Sequence, residues 1–129
     1  MKILNPDTVA RPGAGFAQGV AAGDAIYVAG QVAQDPSGAI VGIGDMAAQT
    51  RQTLANVAGV LAAGGLSLAD VVSTTVYLTD LAGYRTFCAT WCEVFGDHTP
   101  ARATVKADLV HPDLLVEVQA IAVRRAAAS

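Results

Sequence analysis

The run Val71-Val72-Ser73-Thr74-Thr75-Val76-Tyr77-Leu78 is β-branched almost throughout. Branching at Cβ restricts χ1 and suits the pleated surface of a sheet, so the run reads as a well-buried strand. A second apolar strand is expected from Leu114 to Val123. There Leu114, Val116, Val118, Ala120 and Ala122 share one face, and Leu115, Glu117, Gln119, Ile121 and Val123 share the other. A chain with two such strands needs a sheet with cover on both sides.

The remaining elements supply that cover on one side. Asp45 is placed to cap a helix whose apolar positions Met46, Thr50, Leu54, Val57 and Leu61 follow the 3.6-residue period, with Gly64-Gly65 as its stop. A second helix carries Leu81, Tyr84, Cys88, Trp91 and Phe95 on one stripe, with Phe87 and Val94 beside them and Gly96 at its end. Trp91 and Tyr84 read as core residues. Gly23-Asp24 joins two short apolar runs as a β-hairpin whose second strand ends at Gly30-Gln31. A strand from Ala101 to about Leu109 precedes a His111-Pro112-Asp113 turn, and the tail from 125 to 129 reads as flexible. The order is ββαβαββ, an α+β fold with both helices on one face of a mixed sheet in a single domain over residues 1–129.

Composition bears on the other face. Of 129 residues 53% are hydrophobic and 15% charged, too little polar surface for a small monomer, so self-association is expected. The net charge of −3 and the scattered basic residues argue against nucleic acid as the main partner. No apolar run is long enough to span a bilayer, and Asn5-Pro6-Asp7 interrupts the opening Met1-Lys2-Ile3-Leu4, so the chain reads as cytoplasmic, without a signal-peptide core. Cys88 and Cys92 lie one helical turn apart, an awkward separation for a disulfide, and read as thiols. With His98 and His111 they lack the paired spacing of a zinc site, and the histidines read most simply as solvated loop residues, the rim of a cleft being the alternative for either.

Two charged residues draw the chemistry to the C-terminal strands. Glu117 interrupts an apolar strand, where a carboxylate requires a cation, a donor or water. Arg102 supplies a planar fork suited to carboxylates. In a plain hairpin about Pro112, Arg102 would stand opposite Ile121, about four residues out of register with Glu117. Either the two strands are not sheet neighbours, or the side chains meet only across a cleft or a subunit boundary.

Several ordered motifs add a resemblance. Thr99-Pro100-Ala101-Arg102-Ala103-Thr104-Val105 and Val116-Glu117-Val118-Gln119-Ala120-Ile121-Ala122-Val123 resemble the C-terminal signature of the Rid/YjgF proteins. Upstream, Gly15-Phe16-Ala17-Gln18-Gly19-Val20, Val28-Ala29-Gly30-Gln31 and the stretch from Gln49 to Val57 match in the same order. The resemblance covers nearly the whole chain. It implies a chorismate-mutase-like fold assembled as a homotrimer with clefts between subunits. It also implies hydrolysis of 2-imino and 2-enamino acids, such as 2-iminopropionate and 2-aminoacrylate, to 2-oxo acids and ammonia, without cofactor or metal. Arg102 would then anchor the substrate carboxylate and Glu117 would orient or deprotonate water. Phe16, Ala29, Gly30, Cys88, Ala103 and Thr104 would line the pocket. Three positions depart from the family pattern: Phe16 in place of tyrosine, Cys88 in place of asparagine and Thr104 in place of cysteine. The departures point to a bulkier substrate or weaker action on small imines. Cys88 as a small core residue outweighs Cys88 as a nucleophile. A non-catalytic trimer that holds a carboxylate metabolite at Arg102 is the competing reading, and ribonuclease activity ranks last on charge.

Overall fold

The structure, a computed structural model, describes residues 1–126. Six strands form one sheet: β1 (Lys2–Leu4), β2 (Gly19–Ala22), β3 (Ala25–Gln31), β4 (Val71–Leu78), β5 (Ala101–Lys106) and β6 (Val116–Val123). Their spatial order is β1-β2-β3-β6-β4-β5. Two helices, α1 (Met46–Ala63) and α2 (Tyr84–Phe95), complete the fold. No helix among the described residues is long and apolar enough to cross a membrane.

The two apolar strands singled out in the sequence lie side by side. β6 pairs antiparallel with both β3 and β4, and β5 pairs parallel with β4. Val116, Val118, Ala120 and Ala122 on β6 are buried with Val71, Val76 and Leu78 of β4 and with Leu54, Val57, Val60 and Leu61 of α1. No helix among the described residues covers the opposite sheet face, and Tyr27, Val105 and Val123 stand exposed there. Asp45 caps α1 as expected, its carboxylate accepting from Ala48 N at 3.0 Å.

Four details differ from the sequence reading. First, Lys2–Leu4 adds an edge strand against β2. At three residues it is too short to show a period, and only its pairing defines it. Second, the stripe of α2 is rotated: Phe87, Trp91 and Phe95 are buried, whereas Tyr84 is 41% exposed and Leu81, in a preceding 3-10 turn, is 52% exposed. Tyr84 is therefore not core. Third, His98 is half-buried rather than solvated, its Nε2 donating to Val71 O at 2.6 Å. Fourth, the last two strands are shorter than expected, because the chain must travel from the sheet edge at β5 to its interior at β6, which a tight turn cannot span. Of the tail, Arg125 lies 3.6 Å from Asp70, and 127–129 lie outside the described residues.

Gln49, fully buried on α1, fixes the entry into β6. Its Nε2 donates to Asp113 O and its Oε1 accepts from Leu115 N, both at 2.8 Å. A Gln49→Leu substitution leaves both backbone groups without partners. It is expected to cost about 2–4 kcal/mol, read as a lower urea midpoint at unchanged m-value.

Candidate active site

The sheet places Glu117 beside an irregularity. Between Val28↔Ala120 and Gln31↔Val118 the β3–β6 register shifts, so that Ala29 and Gly30 together oppose Gln119. Such a bulge adds local bend and twist. The Glu117 side chain lies against Gly30: a Cβ at that position would stand 2.6 Å from Glu117 Oε2 and 2.8 Å from Cδ. The missing Cβ leaves room for the carboxylate where it stands, and any other residue would require it to shift.

Glu117 opens into a cavity of about 790 Å³ lined by Phe16, Gln18, Gly30, Gln31, Asn56 and His111 among others. The amides of its wall are held in place. Gln31 Nε2 donates to Gln18 Oε1 at 2.8 Å and to Ala29 O at 3.0 Å, and Gln18 Nε2 donates to Ala10 O at 3.0 Å. Asn56 Nδ2 donates to Val32 O and Gln34 O, both at 2.9 Å. Gln18, Gln31 and Asn56 stand within the family motifs, where the sequence alone assigns them no role. Polar side chains at positions that pattern as buried were the available signal. Among the described residues Glu117 has no ion-pair partner and no hydrogen-bond donor. Burial accordingly raises its pKa above the ordinary 4.5.

Arg102 belongs to a different surface of the same chain. Cross-strand partners share a face, so Arg102, Thr74 and Ala120 lie on the helix side, and Glu117, Tyr77 and Val105 on the other. Its Cζ stands 5.2 Å from the Phe87 ring centroid, 5.1 Å from that of Trp91 and 5.9 Å from that of Tyr84. Nη2 donates to Tyr84 Oη at 3.2 Å and Cys88 Sγ at 3.4 Å. With Tyr84, Thr104 and Leu81 it lines a shallow hollow of about 430 Å³. The strands of Arg102 and Glu117 are thus not neighbours, and β4 lies between them. The structure groups Phe16, Gly30 and Glu117 in one place, with Ala29 in the adjoining bulge. It groups Cys88, Arg102 and Thr104 in another, while Ala103 is exposed on the bare sheet face. His111 does reach the rim of the Glu117 cavity, with Asp113 N donating to its Nδ1 at 3.1 Å.

A family model described as endoribonuclease L-PSP matches residues 8–124. The chain belongs to this family, that of the Rid/YjgF proteins. It is 35% identical over 121 residues to a RutC family protein of Pyrococcus horikoshii, covering 94% of this chain and 96% of that one. It is 40% identical over 114 residues to a 2-iminobutanoate/2-iminopropanoate deaminase of Salmonella typhimurium, covering 85% and 88%. The crystal structure of the YjgF gene product of E. coli superposes with a TM-score of 0.90 at 36% identity, over 97% of this chain and 100% of that one. The sheet order and the two helices are therefore those of the Rid/YjgF fold, with the C-terminal strand in the sheet interior.

The raised pKa of Glu117 has a sign consequence. The native state holds its proton to higher pH than the unfolded chain does, so this group's contribution to stability is fully present below the unfolded value. It falls as pH rises through the raised value. Glu117→Gln should therefore melt higher than wild type at pH 7.5, with the gap closing toward pH 4, as followed by thermal unfolding across that range.

Proposed function

We infer that the protein hydrolyses 2-imino acids, and their 2-enamino tautomers, to 2-oxo acids and ammonia. The observation that carries this reading is Glu117: an unpaired carboxylate of raised pKa, given space by Gly30 and facing a cavity large enough for a small organic acid. A carboxyl with a pKa moved toward neutrality is suited to take a proton from water and return one to a leaving group. Identity of 40% to a deaminase supports the same chemistry.

In the reaction, water adds to the C=N carbon while Glu117 accepts its proton. The proton passes to nitrogen, the tetrahedral carbinolamine loses ammonia, and the carbonyl forms. An imine is already electrophilic, so positioning and modest electrostatic help are sufficient, and the residues supply both without a cofactor. Phe16 makes one wall apolar, which suits substrates with a hydrocarbon side chain.

Arg102 is the proposed carboxylate anchor. Because it faces away from Glu117 in its own chain, a common site requires the Arg102 edge of one copy beside the Glu117 cavity of another. The bare sheet face, with Tyr27, Val105 and Val123 exposed, is the surface proposed to join copies into a homotrimer with sites between subunits. A sedimentation experiment returning a monomer would undo this arrangement.

The activity is tested with 2-iminopropionate released by a serine dehydratase and trapped by semicarbazide. Wild type should lower trapping. Arg102→Ala should lose ~10–100-fold in kcat/KM, the order expected for a charge-assisted contact, and Glu117→Gln ~100-fold or more in kcat. If wild type is as inert as Arg102→Ala on small and bulky imines, the deaminase reading fails. Carboxylate binding that persists without turnover would then identify a binding trimer.

A further inference from the structure

The hydroxyl of Tyr84 stands beside the Arg102 guanidinium. It stands at the start of α2, where the sequence pattern assigned it to the core, yet its ring is 41% exposed and borders the hollow that Arg102 and Thr104 line. Its oxygen accepts from Arg102 Nη2 at 3.2 Å, and no other side-chain or backbone group among the described residues bonds to it. A phenol has one proton to donate and an oxygen that can accept. With the oxygen turned toward the guanidinium, the proton remains unused beside a cation.

The guanidinium is constrained as well. Phe87 and Trp91 hold Cζ at 5.2 and 5.1 Å from their ring centroids. Nη2, which has two N–H groups, meets two acceptors, Tyr84 Oη and Cys88 Sγ. Both bidentate edges of an arginine include that nitrogen, so a carboxylate approaching Arg102 in this setting meets an incomplete fork. The free Tyr84 O–H restores the missing donor.

We propose that Tyr84 is a substrate-binding residue, its hydroxyl fixing Arg102 through Nη2 and donating its own proton to the carboxylate that Arg102 attracts. One carboxylate oxygen takes a guanidinium N–H and the other takes the phenol O–H. This rests on the reading of Arg102 as the carboxylate anchor. Tyr84 thereby selects for a planar carboxylate over a neutral carboxamide, since an amide nitrogen cannot accept from the hydroxyl.

The test uses the intact protein and two readouts. Binding of pyruvate, a stable 2-oxo acid, and of pyruvamide is measured by calorimetry for wild type and Tyr84→Phe, and 2-iminopropionate hydrolysis is followed in parallel. In Tyr84→Phe the pyruvate Kd and the imine KM should both rise ~10–100-fold, with kcat within about twofold, the loss typical of one hydrogen bond to a charged group. Melting temperature and sedimentation should be unchanged, and the preference for pyruvate over pyruvamide should shrink. Unchanged or tighter pyruvate binding in Tyr84→Phe overturns the proposal, the tighter case showing that Tyr84 competes with the ligand for Nη2. If wild type hydrolyses no imine but pyruvate binding weakens in Tyr84→Phe, the deaminase reading fails and this one stands. If wild type binds no pyruvate, the carboxylate anchor and the role of Tyr84 both fall.

Discussion

The position of β6 controls the rest of the molecule. The last strand of the chain is inserted between β3 and β4, antiparallel to both, and its helix-facing residues complete the apolar layer against α1. Neither neighbouring strand can saturate its backbone hydrogen bonds until β6 arrives, so the core closes only when the C-terminal segment is in place. Gln49 enforces the arrival point from α1, satisfying the backbone on both sides of Leu114. The same strand carries Glu117, so stability and chemistry depend on one register. A slip by one residue would turn Glu117 into the helix-facing core and bring Val116 or Val118 out of it.

The bulge at Ala29 and Gly30 turns this arrangement into a site. An unbroken β3–β6 ladder would hold a side chain beside Glu117 at every position. The extra residue and the missing Cβ let the carboxylate lie across the sheet surface, next to amides already committed to one another and to backbone groups. Those amides rigidify the wall without neutralising the carboxylate, which is why burial raises its pKa unopposed. The aromatic bed of Arg102 works by the same logic: Phe87 and Trp91 fix its plane through packing, and no acid among the described residues pairs with its charge.

Much of the fold was legible. The β-branched run of β4, the Asp45 cap, the Gly64 and Gly96 stops and the Gly23-Asp24 hairpin are local signals, and each marks the element it predicts. The misses share a cause. Strand β1 exists through its partner, His98 is half-buried through a carbonyl far along the chain, and the face of α2 turns inward by Phe87 rather than by Tyr84. Each is decided by what packs nearby in space.

The sequence by itself determined the order of elements after β1 and drew attention to Arg102 and Glu117, and it argued against a direct pair only through a plain hairpin that the chain does not form. Pattern along the chain carries that information because periodicity, caps and turns are properties of neighbouring residues. Only the tertiary structure decided that β4 separates the strands of Arg102 and Glu117 and that the two side chains leave the sheet on opposite faces. Strand order and cross-strand parity depend on hydrogen bonds between segments distant in sequence, and no local pattern encodes which strand lies between two others.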